Sequence, residues 1–346
     1  MKNKIKYKID SDISKARTLH SDYYTDNKMF SESIDNIFQD SWQLVAHRQE
    51  FKNKNVIPIT ILPQEPLILT KDNSDIHCIS NVCTHRGHIV CDKKKFTKSM
   101  VCRYHGRSFT LDGKFKNAIG FEGVKDFPSE SDNLKPIHIK EWKDFILVSL
   151  KNKIDISNIL HDIETRLESF PFDKIKFSEE LSATYEINNH WALYCENYLE
   201  GFHVPFIHKG LNKDIDLKSY KTKLLENGVL QFANDALSKN SKTYAYYYWI
   251  FPNLMLNFYD WGLSINIIEP INKEKTRVKF LSYPIKGMKQ PQDSNASIDK
   301  VELEDQAIVI NVQKGIKSKA YKKGRYSVKY ERGLHYFHQL LTRYLS

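Results

Sequence analysis

Two short loops carry residues that could hold a redox metal. In NVCTHRGHIVCDKKKFTKSMVCRYHGRSF, one loop offers Cys83-x-His85, and sixteen residues later a second offers Cys102-x-x-His105. Each loop has a glycine just beyond, Gly87 and Gly106, where the backbone must turn tightly over a bulky object. Two thiolates on one iron and two imidazoles on the other form the ligand set of a high-potential [2Fe–2S] cluster, which needs this C-x-H plus C-x-x-H pattern. The competing assignment is structural zinc, but zinc motifs usually pair C-x₂₋₄-C with H-x₃₋₅-H. Cys78 and Cys91 have no partner at ligand spacing and read as packed thiols.

A second constellation lies in HWALYCENYLEGFHVPFIH, from His190 to His208. On a continuous helix Asn197, Glu200 and His203 fall at i, i+3 and i+6, on neighbouring positions of one face. His208, five residues beyond His203, would be rotated by about 140°. It can join His203 only if the helix is interrupted. Pro205 is the expected interruption, since it removes a backbone donor, crowds Gly201 and restricts Val204. Iron(II) that activates oxygen takes two histidines and one carboxylate on one face, leaving the opposite positions open. Glu200 is too close in sequence to be the obvious third ligand. Downstream, Val301, Asp305, Ile308 and Val312 form an i, i+4, i+7, i+11 stripe on which Asp305 is the only charge, whereas Glu304 aligns with Lys300 and Asn311 on the polar side. A carboxylate on a buried face is costly unless paired or metal-bound, which selects Asp305 over Glu302 and Glu304. Alone, these stretches also fit two unrelated histidines on a core helix and a solvent-facing aspartate.

The elements that must position these residues read as an α+β chain. Residues 1–25 are polar and irregular, and Phe30, Ile34, Ile37, Phe38 and Trp42 fall at helical spacing, predicting a helix over 27–42. VIPITILP, EPLILT and DFILVSL then read as strands of a small β domain, with Asp112-Gly113 as a hairpin turn. Residues 151–172 are polar with a helical middle, a plausible linker. LSATYEINNHW, YKTKLLE, VLQFA, TYAYYYWIF, LMLNFY, GLSINIIEP and TRVKFLSYPI predict an antiparallel sheet, with Asn227-Gly228 as a hairpin turn. A long helix from about Ser297 to Lys317 and a shorter one from about Arg332 to Leu345 follow. Tyr244, Tyr246 and Tyr248 would share one strand face, and Tyr247 and Trp249 the other. Such rings could cage a quaternary ammonium or simply pack the sheet.

The 346 residues suggest two domains, and 41% hydrophobic and 12% aromatic content suffices for packed cores. The net charge of +10 comes from lysines spread among 42 acids, with short basic runs at Lys93–Lys95 and Lys317–Arg325. It fits a solvated surface or a docking face for an acidic protein, and no recognition motif points to nucleic acid. No apolar run predicts a secretory signal or a membrane span. Five cysteines, an odd number, predict a reducing, cytoplasmic setting.

CTHRG and CRYHG, followed by the His190–His208 stretch, resemble the α subunit of Rieske non-heme iron oxygenases, the family of aromatic-ring-hydroxylating dioxygenases and choline- and carnitine-type monooxygenases. The resemblance runs from about Tyr23 to the C-terminus. Arg103 stands where many members carry proline, and Arg107 where many carry tryptophan; both changes lean toward the amine-oxidising branch. The resemblance implies an N-terminal helical segment (1–41) packing on the catalytic domain, an all-β Rieske domain (42–152), and a helix-grip catalytic domain (153–346) in which a curved antiparallel sheet holds the long helix. Its acidic residue ahead of a V-Q-x-G segment, here Val312–Gly315, again points to Asp305. It implies a homotrimer in which Glu200 bridges His203 to His105 of the neighbouring subunit. Aspartate is usual there in ring hydroxylases, and glutamate resembles the carnitine and choline enzymes. Asn197 is expected to hydrogen-bond behind the ligands.

The expected function is therefore a terminal oxygenase with a Rieske [2Fe–2S] cluster on Cys83, His85, Cys102 and His105, and a mononuclear Fe(II) on His203, His208 and Asp305. With no further cysteine set and no GxGxxG fingerprint, electrons must come from a separate NAD(P)H-dependent flavin/ferredoxin-type reductase. The expected substrate is a quaternary or N-methyl amine. Ring dihydroxylation of an arene, or an electron carrier without oxygenase activity, are the alternatives.

Overall fold

A computed structural model describes residues 8–208, 215–235, 243–288 and 298–345. The chain divides into two compact units, Gln39–Lys153 and Met1–Phe38 together with Ile154–Ser346.

The second of these units begins at the N-terminus, where a short helix, α1 (Asp22–Thr25), precedes α2 (Asn27–Ser33). Asp26 caps α2 by accepting from the Lys28 amide at 2.7 Å. A wider π turn over Ile34–Phe38 ends the helical run, so it stops four residues short of the expected Trp42. The described stretch before α2 is irregular apart from α1, yet Ala16, Leu19, Tyr23 and Tyr24 are buried.

Gln39–Lys153 is built from β1 (Gln43–His47), β2 (Val56–Ile61), β3 (Glu65–Asp72), β4 (Asp75–Ser80), β5 (Met100–Val101), β6 (Ser108–Phe109), β7 (Phe115–Asn117), β8 (Pro136–Trp142) and β9 (Phe145–Ser149). Six strands form an antiparallel sheet in the order β1-β9-β8-β4-β3-β2, and β5-β6-β7 form a smaller one. Strand β3 is apolar on both faces: Leu67 and Leu69 join Phe51, Ile146 and Val148, while Ile68 joins Ile79, Met100 and Phe109. Period-two alternation thus puts one strand between two cores. Gly113 turns the β6–β7 hairpin at φ +88°, with its amide bonded to the Thr110 carbonyl.

Beyond Ile154 come α3 (Ser157–Arg166), β10 (Ser178–Ile187), α4 (Trp191–Tyr198), α5 (Val204–Ile207), β11 (Ile215–Leu225), β12 (Gly228–Asp235), β13 (Thr243–Ile250), β14 (Leu254–Tyr259), β15 (Gly262–Asn272), β16 (Lys275–Pro284), α6 (Ile298–Ile316) and α7 (Arg332–Tyr344). The seven strands run antiparallel in the order β10-β16-β15-β14-β13-β12-β11. Asn227, at φ +54°, makes the tight β11–β12 turn. Helix α4 packs against both β15 and α6. Ser297 and the side chain of Lys300 lie outside the described residues.

The expected stripe on α6 is turned. Val312 is exposed and Ile308 half-buried, whereas Val309, Gln313 and Ile316 face inward. Gln313 takes an apolar position because its Oε1 accepts the His190 amide at 2.7 Å. That bond satisfies a backbone donor at the start of α4. Asp305 sits on the edge of the buried stripe rather than at its centre.

Candidate active site

The two cysteine–histidine loops repeat one backbone design. The Cys83 amide donates to the His88 carbonyl at 2.8 Å and the Gly87 amide to the Cys83 carbonyl at 3.0 Å; the Cys102 amide donates to the Arg107 carbonyl at 2.8 Å and the Gly106 amide to the Cys102 carbonyl at 3.0 Å. Each glycine stands four residues after its cysteine, at φ +69° and +73°, in the left-handed region that a side chain would strain. The loops therefore differ only in whether the histidine comes two or three residues after the cysteine. Cys83 and Cys102 are buried, whereas His105 is exposed and the His85 and His105 rings lie 4.6 Å apart. Burial pushes the Cys83 thiol up, and the neighbouring Cys102 adds to it. Two buried sulfurs with one half-buried and one exposed imidazole suit a cluster with one thiolate-bound and one imidazole-bound iron. Cys78 is buried in the other core of this unit, whereas Cys91 shares a core cluster with Cys83 and Cys102; burial raises Cys78 to about 12.

The second set assembles around the end of α4, though by a different mechanism than the sequence suggests. Asn197 lies on the helix, but α4 stops at Tyr198, so Glu200 and His203 are not on a continuous helical face. The chain bends through Gly201, where an added Cβ would come within 2.8 Å of the Tyr220 ring. Pro205 does not break a helix. It occupies the first turn of α5, where its missing amide costs nothing. His203 and His208 flank that single turn, and the His208 amide closes it on the Val204 carbonyl.

His203, His208 and Asp305 converge, with donor atoms all within 4.8 Å of one another. Asp305 Oδ1 lies 3.6 Å from His203 Nε2 and 3.0 Å from His208 Nε2. Atoms held by one ion at about 2.1 Å lie about 3 Å apart when adjacent, so the three could share a metal. The remaining ring nitrogens are both taken by carboxylates: His203 Nδ1 faces Glu200 Oε1 at 2.6 Å and His208 Nδ1 faces Glu304 Oε2 at 2.8 Å. With a metal bound, each Nδ1–H would donate to its carboxylate and leave Nε2 for the metal; without one, a protonated His208 can donate to both Glu304 and Asp305. Burial pulls the His208 pKa down, but Asp305 and Glu304 outweigh it and raise it overall. Asn197 Nδ2 donates to Asp305 Oδ1 at 2.7 Å, which fixes the carboxylate. Glu304, assigned from sequence to the polar side of the helix, instead reaches back to His208.

With this geometry in view, two regions match known families. Residues 41–128 match the Rieske [2Fe–2S] domain, and residues 227–346 the ring hydroxylating α subunit (catalytic domain). The chain thus carries a Rieske domain and a ring-hydroxylating α-subunit catalytic domain, and it is homologous to choline and carnitine monooxygenases. It is 29% identical to the chloroplastic choline monooxygenase of Arabidopsis thaliana, over 96% of this chain and 84% of that protein. It is 27% identical to the carnitine monooxygenase oxygenase subunit of Escherichia coli (strain K12), over 95% of this chain and 94% of that one. The crystal structure of the quaternary ammonium Rieske monooxygenase CntA in complex with L-carnitine has the same fold, with a TM-score of 0.81 at 23% identity over 97% of each chain. The protein is thus a Rieske-type oxidoreductase, of a family that uses a [2Fe–2S] cluster and a mononuclear iron.

One face of the seven-stranded sheet meets α4, which also packs on α6. Tyr198 of α4 donates to Asn257 Oδ1 at 2.6 Å, and Gln231 donates to the Tyr198 carbonyl at 2.7 Å. Tyr247, opposite Gln231 and Asn257 in register, belongs to that face. A bulge where Ala233 pairs Ala245 but Asn234 pairs Thr243 takes Tyr244 out of the expected alternation with Tyr246 and Tyr248. The Tyr244 and Tyr247 rings both approach Tyr259, at 6.2 and 5.9 Å. Tyr248 faces the other way and donates to Asp162 of α3 at 2.7 Å. Sequence reasoning also passed over Glu302, which accepts from the Tyr194 hydroxyl; burial and then the nearby Asp305 push its carboxyl up to about 8. Among the described residues no helix is long and apolar enough to cross a membrane.

Proposed function

We propose that the protein is the terminal oxygenase of a multicomponent monooxygenase that hydroxylates a quaternary or N-methyl amine of the choline, carnitine or betaine class. The observation that carries this is the convergence of His203, His208 and Asp305 with a carboxylate behind each histidine. In this reading Cys83, His85, Cys102 and His105 hold the cluster, and His203, His208 and Asp305 hold the mononuclear iron. The metals, when bound, would supply electron transfer and oxygen activation.

The chain's own residues do the rest. Glu200 and Glu304 keep each imidazole in the tautomer that directs Nε2 at the metal position. Asn197 orients Asp305. Glu200 also acts between subunits, where its carboxylate joins His203 to a Rieske histidine of a neighbouring copy, His105, in a homotrimer. The Tyr244, Tyr247 and Tyr259 rings provide π faces suited to a quaternary ammonium, and Glu302 adds a carboxyl group beside Asp305. Electrons come from a separate NAD(P)H-dependent flavin/ferredoxin-type reductase, consistent with the relative's description as an oxygenase subunit. We place the protein in the cytoplasm.

Product analysis with a reductase tests this, on a panel of choline, carnitine, γ-butyrobetaine and glycine betaine against naphthalene and benzoate. Oxidation of a panel amine, with about three irons per chain, is the expected result. Oxidation of arenes alone, or a protein with cluster iron only, would overturn it.

A further inference from the structure

Arg107 follows the glycine of the second cysteine–histidine loop, and its side chain is only 3% exposed. Its Nη1 donates to Thr84 Oγ1 at 2.8 Å and its Nη2 to Asp132 Oδ1 at 3.1 Å. Three aromatic rings surround the guanidinium: its central carbon lies 5.1 Å from the centroids of Phe115 and Phe121 and 5.2 Å from that of Phe127. Thr84 stands between Cys83 and His85, and its hydroxyl donates to the Asp132 carbonyl at 2.7 Å. The Arg107 carbonyl meanwhile accepts the Cys102 amide. One residue thus touches both ligand loops.

Burying a guanidinium costs several kcal/mol of lost hydration, and one carboxylate and three π faces offset part of it. Loop geometry alone does not require a cation, since a neutral side chain could fill the same aromatic pocket. The guanidinium also stands beside the ligands, bonded to Thr84 between Cys83 and His85.

We propose that Arg107 is a positioning residue that ties the two ligand loops together and, through its fixed charge, raises the reduction potential of the cluster they hold; this rests on the cluster assignment above. Reduction adds one negative charge to the cluster, and a buried cation nearby favours that state. Asp132 partly offsets the cation, so removing Arg107 and removing Asp132 must act in opposite directions.

The test is an EPR-monitored redox titration of the cluster-loaded, full-length protein and three variants. Arg107→Met should keep the Rieske signal and weaken reduction about tenfold, 59 mV for a one-electron couple. Asp132→Asn should shift the equilibrium toward the reduced form. Arg107→Lys should stay close to the wild-type potential while lowering the thermal midpoint, because it keeps the charge but loses the fork. An unchanged potential in Arg107→Met overturns the proposal. If that variant does not retain its cluster, Asp132→Asn decides: an unchanged or lowered potential overturns it. A wild-type protein with no Rieske signal would instead remove the cluster assignment itself.

Discussion

Glu304→Ala isolates the contact that the sequence did not announce. The change leaves His203, His208 and Asp305 in place and removes only the carboxylate 2.8 Å from His208 Nδ1. Losing such a partner typically weakens metal binding by about 10–100-fold. Glu304 is 30% exposed, so water can replace part of the lost hydrogen bond. The expected loss is therefore near the lower end, about tenfold or about 1.4 kcal/mol. Glu304→Gln should lose less, because the amide oxygen can still accept the Nδ1–H and hold the ring. The assay is anaerobic titration of metal-depleted protein with Fe(II) against a competing chelator. Wild-type affinity in Glu304→Ala would show that the contact does no orienting. Equal losses in both variants would refute the orientation argument in favour of a pure charge effect.

Glu200→Ala should retain iron when metal is supplied in excess yet lose about 10–100-fold in coupled turnover; unchanged product formation would refute its role as the link to a neighbouring cluster. Gly333→Ala should act at a distance. An added Cβ would come within 2.6 Å of the Leu199 carbonyl, immediately before Glu200, so overpacking should cost about 1–3 kcal/mol, read as a lower midpoint in calorimetry. Acid stability reports on Asp162. Burial raises its pKa, but hydrogen bonds from Lys223, Tyr248 and Arg166 outweigh it and bring it down to about 2. The folded pKa is below the unfolded one, so the stabilisation is present above about pH 4 and disappears as pH falls through about 2. It amounts to about 2 kcal/mol. Asp162→Asn should lower stability at pH 7 by a similar amount and flatten the fall between pH 4 and 2 in denaturant titrations; a parallel curve would count against the assignment.

What could be read from the chain, and what could not, follows from how far each cause extends along the sequence. The cluster loops are legible because the ligand chemistry dictates residue types over a few positions, and the glycines follow from the turn. The strands and both C-terminal helices show in their periodicity. Around the second site the causes are remote. The helix ends at Tyr198 rather than at Pro205, with a close approach of Tyr220 to Gly201 just beyond. Gln313 displaces the expected stripe to serve a backbone donor at His190. Bonds between such distant residues leave no local pattern. Glu304 is a different case, since hydrogen-bond counting calls for such an acid. A metal-bound imidazole has a second nitrogen whose proton needs an acceptor, so two histidine ligands call for two acceptors besides the ligating carboxylate. Glu200, three residues before His203, supplies one. Glu302 and Glu304 both lie on the helical turn of Asp305, and in the structure Glu304 supplies the other. A helical wheel that sorts residues only by polarity places Glu304 in solvent. Counting the protons the histidines must donate calls for a second acid near Asp305, and the packing chooses which.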